Sequence, residues 1–389
     1  MNEIICTGLD GANPLHMLAS LGLLRLADRI APGARLGWRT AAGAWRPVLA
    51  SGSDLQGVVG DIAAWIRALS CRSAPDPDLQ SRNRSLSASV KRLKNKLRTA
   101  KTAAKAVAKA QDLKGTAAKA FVAGELRVLE NELHENEAEL SRAQKDVARA
   151  GGQGIAHWGD VIGVNADIVR HAAQTALASW SDSSVDVGPD PGDARIVIGH
   201  LPALACDRVT VADEVLPTPF SFSNGSSGQC LLKDFRSCAE RCTPERLLAT
   251  LTEGEGRLVP GSTGLNWDPA DQRSYALHWY NPEDKKHNPR PTDPAANALG
   301  YVGLALLPAV PFGRRLTAVG WGTNAAWTWP IWEPALALPV VTSLLAYEAL
   351  QSQRPDRGSL WAIGVREVRR AVRINPTGKR YFFAPSVPV

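Results

Sequence analysis

Cysteine is scarce in this 389-residue chain, and Cys6, Cys71, Cys206, Cys230, Cys238 and Cys242 are irregularly spaced. That excludes a disulfide-built scaffold and suits a reducing cytoplasm. Charged residues at 21% are too few, and hydrophobic residues at 44% too many, for wholesale disorder. Long apolar runs are missing too. The most apolar stretch, Ala295 to Pro311, is broken by Asn297, Gly300, Gly303 and Pro308 and is too short to cross a hydrocarbon layer of about 30 Å. It reads as buried core, with no membrane as partner. The start, Met1-Asn2-Glu3-Ile4-Ile5-Cys6, lacks the basic residues, apolar stretch and cleavage site of a secretory signal, so a cytoplasmic location is expected.

Chemical signatures are equally sparse. There is no phosphate-cradling P-loop, no dinucleotide glycine fingerprint, no His-Glu-x-x-His and no Gly-x-Ser-x-Gly elbow. No unit of about 20 to 50 residues repeats, which disfavours a solenoid or propeller. Cys238 and Cys242 are separated by three residues within an expected helix, and no second close pair exists, so ordinary thiols are favoured over zinc. His278, Asp284 and His287 fit no compact metal-ligand set. No enzymatic activity and no cofactor are expected.

What the sequence has in excess is positive charge, and in one place. The net charge is +7. From Arg82 to Arg149 sixteen basic residues face eight acidic ones, which leaves 29 and 30 elsewhere. Arg82 to Lys119 holds twelve basic residues and one acid, Asp112, whereas Phe121 to Arg149 holds four basic residues and seven acids. Leu86, Val90, Leu93, Leu97, Ala100, Ala104 and Val107 alternate spacings of four and three, a heptad seam. The rhythm returns at Leu126, Leu133, Leu140 and Val147, with Leu129 and Ala143 between. Two helical arms are predicted, folded as an antiparallel coiled-coil hairpin. Three readings of the basic arm stay open: a solvated face paired with acids, a phosphate-binding arm, and a protein-docking antenna. A membrane-lying helix fits poorly, because the seam is narrow, Ala-rich and without aromatic anchors.

The predicted fold class is α+β: a body of short mixed or antiparallel sheets and buried helices, with the hairpin inserted. Residues 1–80 form an N-terminal module, 81–150 the hairpin, and 151–389 the rest of the body. Asn13 and Pro14 open a helix apolar on nearly every side, in which Gly22 lets another backbone come close. Strands are predicted at Ile4 to Thr7, in a hairpin from Leu36 to Leu49, and at Ala194 to Ile198 and Arg208 to Val211. Trp-rich Thr317 to Trp329 and basic Val365 to Phe383 are strand-like as well. Helices are predicted at Asp54 to Ser70, Val164 to Ser179, Cys230 to Cys238, Pro244 to Thr252, Pro294 to Leu307 and Ala335 to Gln351. Ser181 to Asp193 reads as a surface loop.

For binding, the glycine-permitted turn Phe220 to Gln229, followed by Lys233 and Arg236, would either hold a phosphate or cap the next helix. Basic residues beside aromatics recur at Lys285-Lys286-His287, Arg290, Arg314-Arg315 and Lys379-Arg380-Tyr381-Phe382-Phe383. The twelve Trp residues suit a core better than base platforms.

Three segments stand out together: Leu9 to Asp28, with Asn13-Pro14 and Trp38 and Trp45 following; Phe222 to Arg236; and Ala295 to Pro308, a buried Gly-Leu helix ending in proline. In combination they resemble the large-subunit proteins of type I CRISPR interference (Cascade) complexes, in the type I-G group formerly called I-U. The heptad insert departs from that family pattern. The resemblance implies a non-catalytic large subunit of an RNA-guided antiviral complex. Such a subunit recognises a short motif beside the target in double-stranded DNA and stabilises strand opening, alongside the guide RNA and other effector subunits. The nucleic-acid contacts then expected are Asn224, Gln229, Lys233 and Arg236, then Lys285, Lys286 and Arg290, and the arm residues Arg92, Lys94, Lys96 and Lys101. The competing reading is a coiled-coil scaffold without direct nucleic-acid binding.

Overall fold

The computed structural model describes residues 2–70, 77–150, 203, 205–211, 214–222, 231–261, 264–271, 291–313, 315–322, 324–352, 354–376 and 381–389. Two compact units result, residues 72–152 and the body formed by 1–71 with 153–389. The body starts with β1 (Asn2–Ile5), α1 (Pro14–Ile30), β2 (Arg35–Ala41), β3 (Ala44–Ser51) and α2 (Leu55–Ser70). The second unit holds α3 (Pro77–Ala110) and α4 (Gly115–Ala150). The body resumes with β4 (Ala205–Val211), β5 (Glu214–Pro217), α5 (Leu231–Glu240), α6 (Pro244–Thr252), β6 (Val259–Pro260), β7 (Pro291–Thr292) and α7 (Pro294–Gly303). It continues with β8 (Ala309–Phe312), β9 (Arg315–Ala318), β10 (Ala326–Trp332), β11 (Leu336–Ala337), α8 (Leu338–Leu345) and α9 (Arg357–Ala362). Last come β12 (Val365–Ile374), β13 (Phe382–Phe383) and β14 (Val387–Pro388). The class is α+β, with short antiparallel sheets. The strand expected at Ala194 to Ile198, the helix at Val164 to Ser179 and the loop at Ser181 to Asp193 lie outside the described residues.

The two larger sheets run β1-β3-β2-β11 and β10-β12-β13, with β14 also on β12. The β2–β3 hairpin turns on Ala42 and Gly43, at φ +49° and +75°, the paired left-handed conformation that a two-residue turn requires. Every side chain of β10, AWTWPIW, is buried. Pro330 is tolerated there because β10 is an edge strand of its sheet, so its missing N–H breaks no ladder. The indole N–H groups of Trp329 and Trp332 donate to the carbonyls of Gly11 at 2.9 Å and Leu36 at 2.7 Å. Trp332 also meets Trp38 edge to face, with ring centroids 6.0 Å apart. Trp329 and Trp332 are core, each satisfying its one polar atom by tying β10 to the N-terminal segment.

The body closes around α1 and α7. Asn13 caps α1, its side chain accepting from the Leu15 amide at 2.9 Å, and Pro14 occupies the first turn, where no amide donor is needed. Asp293 caps α7 in the same way, accepting from the Ala296 amide at 2.9 Å, with Pro294 following. The two helices cross at glycines. A Cβ on Gly22 would stand 1.9 Å from the Leu299 carbonyl oxygen, and one on Gly303 would stand 2.3 Å from that of Leu18. Gly22 therefore admits a backbone, as its place in an all-apolar helix suggested. One expectation needs correction. Ala335 to Gln351 is not helical throughout: it enters as β11, paired with β2, before α8 begins with Pro339 in its first turn.

Gly22→Ala and Gly303→Ala should each destabilise the protein by about 2–3 kcal/mol, because backbone cannot move aside for the added carbon. Gly60→Ala, within α2 and with nothing inside 4 Å, should instead stabilise by about 0.5–1 kcal/mol. Denaturant unfolding midpoints check both signs; similar midpoints for all three variants would contradict the crossing.

Candidate nucleic-acid interface

The second unit presents the charge. Val90, Leu93, Ala104 and Ala108 of α3, and Leu126 and Ala143 of α4, are buried in the seam between the helices. Val107 is not: it is 44% exposed, and Ala108 takes the inward place. A helix with 3.6 residues per turn drifts about 20° per heptad against a seven-residue repeat, so about three turns past Leu97 the inward place passes from Val107 to Ala108. Asp112, at φ +54°, and Gly115, at φ +60°, turn the chain between the helices. Arg82 meets Glu139 at 3.0 Å and Lys94 meets Glu137 at 2.8 Å, and the Ser89 hydroxyl lies 3.2 Å from Asn136 Oδ1. All four charged side chains are about half exposed. Such pairs contribute less than about 1 kcal/mol each.

The four arm residues expected to bind nucleic acid do not share one surface. At about 100° per residue, Arg92 and Lys96 fall on one flank of the α3 seam, Lys94 and Lys101 on the other. The second flank is the richer. Lys91, Lys94, Arg98, Lys101, Lys105 and Lys109 all fall within a sector of about 80°, spread over roughly 27 Å of helix. All six side chains are exposed, and Lys94 is the one ion-paired with a described acid. Reading by seam position, which orders residues along the chain, missed this; the 3.6-residue period carries the signal.

Of the body candidates, Lys233 and Arg236 lie among the described residues. Arg236 of α5 is half-buried and already engaged within the fold, beside the buried Asp234, Phe235 and Cys238. Lys233 lies in the first turn of the same helix. Asn224, Gln229, Lys285, Lys286 and Arg290 lie outside the described residues, as do His278, Asp284, His287 and Lys379-Arg380. The chain ends flanking two of these stretches do meet: the Tyr381 amide donates to the Phe222 carbonyl at 3.3 Å. The aromatics there are packing. Phe222, Phe382 and Phe383 are buried, and the Arg373 guanidinium lies 5.3 Å from the Trp321 ring centre and 4.7 Å from that of Tyr381. Arg373 also donates to the Pro219 carbonyl at 3.1 Å, and burial lowers its pKa. Its charge is spent internally.

Cys6, Cys238 and Cys242 are buried thiols, and burial raises all three pKa values, that of Cys6 to about 12. Such thiols are poor nucleophiles. Among the described residues no three His, Cys, Asp or Glu side chains gather as a metal site.

One polar cluster escaped sequence reasoning. His16, in the first turn of α1, is 8% exposed and accepts at Nδ1 from the Asp10 amide at 3.1 Å. A neutral ring then carries its proton on Nε2. Burial lowers its pKa below the ordinary 6.5; Asp268 and Asp10 act against that shift, Arg257 and Arg46 with it. Around it Asn13 donates to Asp268 at 3.1 Å, Arg46 to the Leu9 carbonyl at 3.0 Å and Arg257 to the Gly8 carbonyl at 3.1 Å. The cluster joins the entry turn of α1 to the segments before α7. Its residues are scattered from 10 to 268, so no local spacing announces them.

Because the folded imidazole binds a proton less readily than the unfolded one, acidification from pH 7 through 6.5 should erode stability. Asp293 works in the opposite direction: burial raises its pKa from 3.8 to about 6, so protonation there favours the folded form as pH falls. Comparing wild type with His16→Gln at each pH isolates the first effect. The stability gap between them should move against wild type between pH 7 and 5, and parallel curves would contradict it. The sequence matches no protein-family model and no curated protein.

Proposed function

We propose that this protein is a non-catalytic DNA-binding large subunit of a type I CRISPR effector complex, working with guide RNA and other effector subunits. Its role is to hold duplex DNA beside the target and stabilise strand opening. One observation carries the reading: six exposed cations line one flank of α3, and one of them is neutralised by a described acid. A row of this kind suits a phosphate backbone, displacing condensed counterions as it binds. It has no base-reading character of its own, which fits a system in which guide pairing supplies sequence specificity. The resemblance to type I-G large subunits adds support. Two of its three segments are α1 and α7, the helices whose crossing organises the body.

On this reading α3 and α4 form an antiparallel coiled-coil hairpin that works as a cationic lever. A second reading, a scaffold whose hairpin binds only protein, is favoured by the apolar seam and cross-helix ion pairs. Deleting residues 82–149 separates the two: the first predicts loss of duplex binding, the second loss of partner assembly with duplex binding intact.

Binding of a labelled 30-base-pair duplex, followed by anisotropy across salt concentrations, gives the sharper test. The triple variant Arg98→Ala/Lys101→Ala/Lys105→Ala should reduce the slope of log K against log salt by about 3, at roughly 0.9 for each phosphate no longer neutralised. Arg92→Ala/Lys96→Ala, on the other flank, should change it by less than about 1. Salt-independent binding, or equal effects from both flanks, would defeat the proposal.

A further inference from the structure

The turn end of the second unit contains a groove that duplex binding does not explain. Its volume is about 620 Å³, and it lies between α3 and α4 where both helices are poor in large side chains. Ala108, Leu113, Ala118, Val122 and Leu126 form an apolar floor. Leu126 and Ala108 are fully packed, but Leu113, Ala118 and Val122 are only half-covered. Small residues explain the opening: with alanine at 104, 108, 118 and 123, the helices meet without side chains large enough to fill the space between them. The rim is cationic. Lys101, Lys105, Lys109, Lys114 and Lys119 surround the floor, against Asp112 and Glu130. Lys114 meets Asp112 at 3.2 Å.

A phosphate backbone uses the lysines but has no need of an apolar floor. An apolar floor inside a lysine ring matches an amphipathic helix with leucine-type residues on one face and carboxylates along both edges. A groove between two helices is the surface into which the ridge of a third packs. From Lys101 to Asp112 its length is about 16 Å, or three turns of helix. The geometry points to a docking site for an acidic amphipathic helix of a partner protein, seated between α3 and α4 at the turn. Lys101, Lys105 and Lys109 belong both to this rim and to the cationic flank, so such a helix and a duplex exclude one another.

The test uses the full chain and a fluorescein-labelled peptide of about fifteen residues with leucines at i, i+4, i+7 and i+11 between glutamates. The peptide should bind. A scrambled peptide of the same composition should bind at least tenfold more weakly. Val122→Asn should weaken the leucine peptide at least tenfold while leaving duplex affinity within about twofold. Lys105→Glu/Lys109→Glu, on exposed positions, should weaken it similarly with helicity by circular dichroism unchanged. Equal binding of the scrambled peptide would mean charge alone, and an unaffected Val122→Asn would mean that the floor is not used; either overturns the site. So would self-association of the chain that the lysine variants abolish while the peptide fails to bind, since the occupant would then be a second copy. Peptide binding without duplex binding leaves this site standing and removes the proposed function; duplex binding without peptide binding does the reverse.

Discussion

The meeting of backbone on backbone between α1 and α7 is the constraint on which the rest of the body depends. With no side chain at Gly22 or Gly303, carbonyl oxygens of each helix sit where the partner's Cβ would be. Dispersion falls steeply with distance, so two helices this close pack densely along their shared face, and the helices and strands around them bury the remaining sides. Once they are fixed, the N-terminal turn has one position, and Gly11 and Leu36 present their carbonyls to Trp329 and Trp332. The buried caps follow the same logic. Asp293 is held by the Thr250 hydroxyl at 2.8 Å as well as by the α7 amides, so α6 is tied to the helix start that it covers.

The second unit obeys different physics. Its seam is narrow and built of alanine and leucine, and the ion pairs across it are exposed. Its surface charge is therefore not arranged to hold the unit together. Twelve basic residues against one acid from Arg82 to Lys119 repel one another, a cost that a polyanionic or acidic partner would relieve. The body is close to neutral overall. Among its described residues, Arg46, Arg257 and Arg373 are engaged by carbonyls and rings of the fold.

Elements set by local chemistry were legible in the sequence. Asn13-Pro14 marks the start of α1, Ala42-Gly43 the β2–β3 turn, and the heptads the existence of α3 and α4, though not their starts at Pro77 and Gly115. Gly22 was legible because a glycine inside an otherwise apolar helix has few other uses. What depended on distant partners was not. β11 exists because β2 offers it an edge, which nothing in Leu336-Ala337 discloses. The His16 cluster gathers residues 10 to 268, and the exposure of Val107 follows from helical drift and not from its apolar character. The candidate site was half legible: the excess of charge was plain, but its division into two flanks needed the helix period, and Arg236 proved to be engaged within the fold.

The central claim is that polyanion binding belongs to one flank of α3. Amide hydrogen exchange barely senses side-chain contacts on an exposed helix face, whereas covalent labelling of lysine amines does. The direct measurement is therefore the acetylation rate of each lysine in the full chain, with and without a duplex, read by mass spectrometry. The account predicts that Lys91, Lys101, Lys105 and Lys109 are shielded by the duplex while Lys96 reacts as before. Shielding confined to the body, or spread evenly over Lys96 and the others, would contradict it.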